Sequence, residues 1–208
     1  MEKSRMILQQ GLQELKLAAD EKQIDLLLTF ITLIEKWNKA YNLTAVRDQE
    51  DMVRLHLLDS LAILPYLEGN RIADIGTGAG LPGIPLAIFL PNVEFTLIDS
   101  NSKKTRFVQQ AILELQLKNV TVIHSRVENI QIDQLFSSLI LRAFSNMQNI
   151  ITLTRHLIDK QGIVFAMKGQ NPSEELIKFT EQYTIIPIKV PGVDAERCLI
   201  RITGIKNG

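Results

Sequence analysis

The chain has 208 residues, no formal net charge and 46% hydrophobic residues, a composition that suits one globular unit or one core with an appendage. A neutral chain is not a bulk electrostatic binder of nucleic acid, although it can carry a local basic patch. One cysteine, Cys198, excludes a disulfide framework and a cysteine-based zinc site, and the lack of a long apolar run predicts a cytoplasmic protein without signal peptide or membrane span.

Residues 1–66 have the apolar spacing of helices. Leucine and isoleucine recur at helical intervals in two runs, and Trp37 and Tyr41 close the second of them. The periodicity then breaks, and a third helix begins near residue 47. It carries His56 and Asp59 three residues apart on one face, where they form either a buried hydrogen-bonding pair or part of a ligand site. We therefore predict an N-terminal helical segment over residues 1–66.

A glycine-rich turn organises the next part of the chain. Residues 71–75 form a short apolar run that contains Asp74, and glycines follow at positions 76, 78, 80 and 83. A helix is predicted to begin near Leu81, because prolines are tolerated in a first helical turn. Glycines let a ligand approach the backbone closely, and a helix start offers free N–H groups. This stretch therefore predicts a pocket for a nucleotide-like ligand.

The glycines alone leave two ligand classes open. Residues 78–83 match the dinucleotide fingerprint G-x-G-x-x-G, and Asp99 follows about 20 residues later, as a ribose-binding acid should. The other interpretation begins one turn earlier, with Asp74 before the first glycine. A carboxylate there would repel a pyrophosphate but suits the ammonium and sulfonium of S-adenosylmethionine. The acid therefore favours a methyl donor, although a tight turn without a ligand is a third interpretation.

From residue 67 onward, short apolar runs alternate with helical stretches. The predicted strands are residues 71–75, 94–98, 120–124, 139–141, 163–167, 184–190 and 199–205, and the predicted helices begin near 81 and 102 or span 146–158 and about 173–183. Apolar runs with helices between them indicate a parallel sheet buried on both faces. The last two strands are joined by a short link and should be antiparallel. We therefore predict an α/β domain over residues 67–208.

In an open α/β sheet the ligand lies beyond the carboxyl ends of the strands. Those ends carry Asp74, Asp99, Arg126, Val127, Glu128, Arg142 and Lys168. Asp99 can accept both ribose hydroxyls or act as a helix N-terminal acid, and Glu128 can accept from an adenine amine or lie in solvent. Val127 can offer an apolar wall. Arg142 follows an apolar run, where an unpaired guanidinium would be costly to bury, and could hold a carboxylate or a phosphate.

Basic residues collect on the same rim. They are Lys103, Lys104, Arg106, Arg126, Arg142, Lys168 and Arg197. Scattered surface charge is one interpretation of this set. Because most of its members follow successive strand ends, the other interpretation is a cationic edge suited to an RNA backbone.

Five segments of the chain together resemble the RsmG family, also called glucose-inhibited division protein B. They are WNKAYNLTA (37–45), HLLDS (56–60), DIGTGAGLPG (74–83), DSNSKK (99–104) and RAF (142–144). That family comprises bacterial small-subunit ribosomal RNA guanine-N7 methyltransferases, and the resemblance covers nearly the whole chain. It implies a class I methyltransferase fold, a Rossmann-like and mainly parallel seven-stranded sheet with an antiparallel last strand, preceded by a helical appendage.

The resemblance also implies the ligands and some of their contacts. The methyl donor would be S-adenosylmethionine, with S-adenosylhomocysteine as product. The partner would be small-subunit ribosomal RNA or the 30S subunit. Apart from the resemblance, we expect a monomer without metal or membrane. The predicted donor-binding residues are Asp74, Gly76, Thr77, Gly78, Leu81, Asp99, Val127, Glu128 and Arg142. The family usually has serine before the arginine of the RAF motif, where this chain has Leu141.

Methylation of guanine N7 constrains the site. N7 carries an in-plane lone pair and no proton, so no general base is expected, and positioning and electrostatics should carry catalysis. An arginine forked onto O6 and N7 would block the attacking lone pair, so the base should be read at its Watson–Crick edge and stacked on an aromatic ring. The predicted RNA contacts are Asn42, His56, Asp59, Lys103, Lys104, Arg126, Lys168 and Arg197.

Three other functions fit parts of the sequence. A small-molecule methyltransferase would use the helical segment as a lid over its substrate, and would work without RNA. A dehydrogenase would bind NAD at the same glycines. A non-catalytic ribosome-assembly protein would bind RNA and keep the glycine turn only as part of the fold, without binding a donor.

Overall fold

Helices form the first third of the molecule. The structure, a computed structural model, describes residues 2–142, 147–169, 176, 177 and 179–205. Helix α1 spans Glu2–Glu14 and α2 spans Glu21–Tyr41. A capping box starts α2, in which the Asp20 side chain accepts from the Gln23 amide and the Gln23 side chain accepts from the Asp20 amide. These two helices confirm the prediction that was made from the apolar spacing.

The third helical stretch is not one regular helix. Its parts are α3 (Gln49–Met52), a π-helical turn (Val53–Leu58), α4 (Asp59–Leu61) and a 3₁₀ turn (Leu64–Tyr66). Asp48 caps it by accepting from the amides of Glu50 and Asp51. The π-helical turn changes the directions of the side chains around His56 and Asp59. π-helical turns occur mostly within α-helices and often lie at functional sites.

Seven strands form one sheet in the order β3-β2-β1-β4-β5-β7-β6. Their bounds are β1 Arg71–Ile75, β2 Glu94–Asp99, β3 Val120–His124, β4 Phe136–Arg142, β5 Ile158–Lys168, β6 Gln182–Pro187 and β7 Cys198–Thr203. Strands β1 to β5 pair in parallel, and β7 is antiparallel to both β5 and β6. The structure confirms the mainly parallel sheet with an antiparallel last strand.

The helices between the strands are α5 (Gly83–Phe89), α6 (Ser102–Leu115) and α7 (Met147–Thr154), with 3₁₀ turns at Val127–Asn129 and Arg155–Leu157. Asn101 caps α6 by accepting from the amides of Lys103 and Lys104. Helix α5 begins at Gly83, two residues later than predicted, because residues 79–82 form a turn.

The prediction for residues 146–158 was wrong at its end. The helix stops at Thr154, and β5 already begins at Ile158, which pairs with Phe136 of β4. The next pair joins Ser138 to Ile163, so residues 159–162 bulge out of the ladder. Ile158 is therefore an apolar residue of a strand rather than of the predicted helix.

The helix predicted over about 173–183 falls mostly on residues that lie outside the described ones. Leu176 is helical, but the C-terminal end of the prediction was wrong, because Gln182 and Tyr183 begin β6. Tyr183 pairs with Ile202 of β7. The last two strands are thus antiparallel, as their short link predicted.

The N-terminal helices cover one face of the sheet together with α5 and α6. Phe30 and Trp37 of α2 contact Phe107 of α6, with ring centroids 6.3 and 5.7 Å apart, and Leu27, Ile31 and Ile84 belong to the same core. A second core, which includes α7, covers the opposite face. No described helix is long and apolar enough to cross a membrane. The domain boundary at residues 66 and 67 stays a prediction.

Candidate functional site

The glycine turn after β1 is folded tightly against the end of β2. The amides of Gly76 and Thr77 both donate to the Ile98 carbonyl, at 2.8 and 3.0 Å. Gly76, Gly78 and Gly80 have φ angles of 71°, 61° and 81°. Residues other than glycine rarely adopt these left-handed backbone angles. The shape of the turn therefore requires glycine at all three positions.

Asp74 lies beneath this turn and is completely buried. Its Oδ2 accepts from the Thr77 hydroxyl at 2.7 Å and from the Gly83 amide at 2.8 Å. No described residue provides a hydrogen bond to its Oδ1. Burial raises the pKa of Asp74 to about 6, although the hydrogen bonds from Thr77 and Gly83 act to lower it. A buried carboxylate with one unsatisfied oxygen is suited to a cationic ligand beside it.

The start of α5 does not offer the free amides that the sequence suggested. The Gly83 amide donates to Asp74, and the Ile84 amide donates to the Gly80 carbonyl at 2.8 Å. A Cβ at Gly83 would overlap Leu97 and lie 2.8 Å from Asp74 Oδ2. The helix start is therefore packed against Asp74, and this part of the prediction was wrong.

Asp99 ends β2 beside the glycine turn and is 8% exposed. Its Oδ2 accepts from the Gly78 amide at 2.9 Å, and its Oδ1 accepts from the Asn101 amide at 2.8 Å. Each carboxylate oxygen can accept a second hydrogen bond. Asp99 thus fixes the turn and the loop before α6 while retaining acceptor capacity for a hydroxyl pair.

A cleft of about 470 Å³ opens at these strand ends. We call it the strand-end cleft; its lining is Ile75, Gly76, Ile98, Asp99, Ser100, Lys104, Ser125, Arg126, Val127, Glu128, Arg142 and Leu153. Of the predicted donor-binding residues, Gly76, Asp99, Val127, Glu128 and Arg142 meet here. The other four, Asp74, Thr77, Gly78 and Leu81, are not among the lining residues, and all except Gly78 are buried. Leu141 is buried inside β4 and leaves Arg142 at the strand end.

Asp59 joins two arginines that are distant in the sequence. Its side chain is 4% exposed. Arg197 Nε donates to its Oδ1 at 2.9 Å, and Arg142 Nη2 lies 3.2 Å from its Oδ2. Arg142 Nη2 also donates to the Leu55 carbonyl of the π-helical turn at 2.9 Å. The helical segment is thereby tied to the ends of β4 and β7.

We call Asp59, Arg142 and Arg197 the Asp59 array. It borders a second cavity, of about 290 Å³. We call it the Asp59 pocket; its lining is Asp59, Ile63, Arg142, Met167, Lys168, Gly169, Ile188, Arg197 and Cys198. Three predicted RNA contacts, Asp59, Lys168 and Arg197, meet in it. Arg142 lines both this pocket and the strand-end cleft. Among the described lining residues none is aromatic, so the aromatic stacking partner expected from the sequence is not found there.

His56 lies in neither cavity. It is 5% exposed, and its Nε2 lies 2.9 Å from the Thr44 hydroxyl, in a loop that Asn38 holds by hydrogen bonds to the backbone of Thr44. Its predicted partner, Asp59, is instead paired with the two arginines. Burial, with the charge of Arg142 as a second cause, lowers the pKa of His56 to about 4. The buried ring therefore stays neutral at physiological pH.

We expect the neutral state of His56 to stabilise the fold in a defined pH range. Because the pKa is about 4 in the folded protein and about 6.5 unfolded, the contribution of His56 to stability should fall as the pH is lowered from 6.5 towards 4, by up to about 3 kcal/mol. Urea unfolding of the wild type and of His56→Gln at several pH values measures this loss as the difference between the two proteins, because the opposite pH dependence of Asp74 is common to both. The difference should shrink as the pH falls from 6.5 towards 4; a constant difference would contradict the assignment.

The remaining predicted RNA contacts lie at different places. Asn42 is exposed at the end of α2, has a φ of 50° and accepts from Arg47 at 3.2 Å. Lys103 is exposed and lines neither cavity, whereas Lys104 and Arg126 line the strand-end cleft. Within the described part of the chain, no group of three potential metal ligands occurs.

Sequence reasoning missed the Asp59 array because its members are far apart in the chain. Arg197 and Asp59 are 138 residues apart, and no periodicity connects them. One signal was present: Asp59 and Arg142 each follow an apolar run, and a charged group in such a place needs a partner.

Comparison with known proteins gives one family. The family model described as rRNA small subunit methyltransferase G matches residues 23–198. A relative from Legionella pneumophila subsp. pneumophila (strain Philadelphia 1), named ribosomal RNA small subunit methyltransferase G, is 49% identical over 96% of this chain and 95% of its own.

Solved structures resemble the fold. A precorrin-6y C5,15-methyltransferase from Geobacter metallireducens has a TM-score of 0.54 and 14% identity, and the match covers 76% of this chain and 90% of that one. TYW2 from M. jannaschii, solved in complex with AdoMet, has a TM-score of 0.54 and 14% identity over 70% of this chain and 74% of its own. The sheet and its helices are those of class I S-adenosylmethionine-dependent methyltransferases.

Proposed function

Because the chain belongs to the rRNA small subunit methyltransferase G family, we propose that it methylates N7 of a guanine in small-subunit ribosomal RNA. The observation that carries this proposal is the position of Arg142. This residue lines both the strand-end cleft and the Asp59 pocket, so a donor in one cavity and an acceptor in the other would both lie beside it. We further propose that the protein acts as a monomer without metal.

The strand-end cleft has groups that fit S-adenosylmethionine, the methyl donor of this family and fold. Asp74 does not line the cleft, but it lies beneath the glycine turn, where the charge of its unsatisfied Oδ1 favours a cationic ligand without contacting it. Asp99 has acceptor capacity for ribose hydroxyls, and Val127 offers a buried apolar wall beside Glu128. Arg142, which lines the cleft, would hold the donor carboxylate. When bound, the donor supplies an electrophilic methyl group on its sulfonium.

The chain then needs to position guanine rather than to remove a proton. The N7 lone pair forms the new bond to the methyl carbon as the carbon–sulfur bond breaks, and no proton is transferred. No histidine occurs among the described lining residues of the two cavities, and the cysteine in the Asp59 pocket is buried in its wall. Catalysis is therefore assigned to positioning and to charge in the two cavities.

We expect kcat to be nearly independent of pH. With saturating donor and RNA, the rate should change by less than about twofold between pH 6.5 and 9, since no acid or base transfers a proton. Single-turnover transfer of labelled methyl groups measures this profile. A bell-shaped profile in this range would contradict the absence of a general base.

The proposed function is tested with labelled S-adenosylmethionine. Small subunits and naked 16S RNA, both from a strain that lacks this protein, are incubated with it, and the label is mapped by nuclease digestion and mass spectrometry. We expect N7-methylguanosine at one site. Label in a small molecule instead would favour a small-molecule methyltransferase that uses the helical segment as a lid. Binding of NAD but not of the donor would favour a dehydrogenase.

A further inference from the structure

Positively charged side chains contribute to the Asp59 pocket. Among its described lining residues, Arg142, Lys168 and Arg197 are cationic and Asp59 is acidic. Each oxygen of Asp59 contacts one arginine, so one carboxylate is shared by two guanidinium groups. These three side chains together keep one positive charge, which suits an anion.

The rest of the pocket suits a flat apolar group. Ile63, Met167 and Ile188 contribute apolar side chains to its lining. The Met167 thioether can contact the edge or face of an aromatic ring. A volume of about 290 Å³ is near the lower limit of small-molecule pockets, roughly 300 Å³. It is the size of a single nucleotide rather than of several stacked bases.

An exposed nucleotide is also what the proposed reaction requires. In A-form RNA the major groove, where N7 lies, is too deep and narrow for protein side chains. Enzymes that modify a base therefore act on an unstacked nucleotide held in a pocket. The Asp59 pocket is the cavity that adjoins the strand-end cleft through Arg142.

We propose that the Asp59 pocket binds the target nucleotide of the RNA, with Arg197 and Lys168 contacting its phosphate and Asp59 orienting the two arginines. Asp59 Oδ1 fixes Arg197 through Nε, and Arg197 Nη1 donates to the Glu196 carbonyl at 2.9 Å. Among the described residues no contact engages Nη2 of Arg197, so this nitrogen can donate to a phosphate oxygen. Asp59 is thus a positioning residue. This assignment rests on the proposed function.

The first test uses guanosine 5′-monophosphate as the probe and methyl NMR of methionine as the readout. Met167 lines the pocket, whereas Met6 is 64% exposed on α1 and serves as the internal control. The Met167 signal is assigned with Met167→Leu. We expect the probe to shift the Met167 methyl signal and leave Met6 unchanged, and guanosine without phosphate to bind about tenfold more weakly, as loss of a charged hydrogen bond predicts.

The second test compares two arginine variants. Arg197→Gln should raise the Kd for guanosine 5′-monophosphate and the KM for RNA by about tenfold or more, with little change in kcat or in donor affinity. The matched control is Arg201→Gln, whose arginine pairs with Glu68 outside the pocket. Lys168→Gln gives a second variant if Arg197→Gln folds poorly. The salt dependence of RNA binding should decrease in the pocket variants.

The outcomes separate this proposal from the proposed function. If the wild-type protein methylates RNA but the probe leaves Met167 unshifted, the pocket assignment is wrong and the function stands. If Arg197→Gln and Arg201→Gln have equal effects on KM, the assignment is likewise wrong. If no RNA is methylated, the proposed function itself fails, whatever the NMR signals show.

Discussion

Replacing Asp59 with alanine is expected to lower the free energy of unfolding by about 3–5 kcal/mol. Asp59 is 4% exposed, and its removal leaves the guanidinium groups of Arg142 and Arg197 without their shared carboxylate. Breaking a buried ion pair by removing one partner costs about this much, because the remaining charge is uncompensated. For a chain of this size the melting temperature should fall by about 10 °C.

Calorimetry and urea unfolding measure the effect of Asp59→Ala. The matched control is Glu68→Ala, whose acid pairs with Arg201 at 2.8 Å at the surface, with side chains 55% and 31% exposed. Exposed pairs contribute at most about 1 kcal/mol, so this variant should be nearly as stable as the wild type. Equal losses in the two variants would show that the Asp59 array does not hold the helical segment against the sheet.

Asp59→Ala should also weaken RNA binding, because Arg197 loses the contact that orients it. The conservative variant Asp59→Asn keeps one acceptor oxygen and should retain part of the stability and part of the RNA affinity. Donor titration serves as a further control for correct folding. If Asp59→Asn bound RNA as weakly as Asp59→Ala while being fully stable, charge rather than orientation would be the contribution of Asp59.

Replacing Asp74 with asparagine is expected to weaken donor binding by about 10- to 100-fold. At an effective dielectric constant of 20, opposite unit charges about 4 Å apart interact by about 4 kcal/mol, and the greater distance of buried Asp74 from the cleft reduces this value. The asparagine oxygen can still accept from Thr77 and Gly83, which hold the turn. Asp133→Asn, at an exposed acid, changes the net charge equally and is the control. Calorimetric titration with S-adenosylmethionine measures both.

The same substitution should not destabilise the protein without donor at neutral pH. Because burial raises the pKa of Asp74 from 3.8 to about 6, the folded state binds more protons than the unfolded state between these values. Its contribution to stability is thus lost as the pH rises through 6, by up to about 3 kcal/mol. Asp74→Asn should abolish this loss. Wild-type donor affinity should rise over the same pH range; a flat affinity profile would contradict the role of Asp74.

The glycine turn could be predicted because its signals are local. Asp74 and the glycines lie within one short segment, and each glycine at a positive φ is required by the geometry of the turn itself. The strand ends that carry Asp99 and Arg142 follow from apolar runs in the same way. Parallel pairing then brings these ends to one edge of the sheet, so most of the strand-end cleft was predictable.

The Asp59 array and the start of α5 depend on contacts that leave no periodic trace. The Asp59 and Arg197 side chains meet only after the whole sheet is assembled, with β7 between β5 and β6. The amide of Gly83 donates to Asp74, and a sequence motif does not reveal such a contact. The π-helical turn around His56 likewise has no periodic signature in the sequence. Long-range ion pairs and backbone irregularities therefore account for what the sequence did not predict.

A crystal structure of the protein with bound S-adenosylmethionine is the most direct test of the account. The donor should occupy the strand-end cleft, with its positively charged end nearest Asp74 and its methyl group on the side of Arg142 that opens to the Asp59 pocket. A donor bound elsewhere, or one whose methyl group faces away from Arg142, would contradict the account.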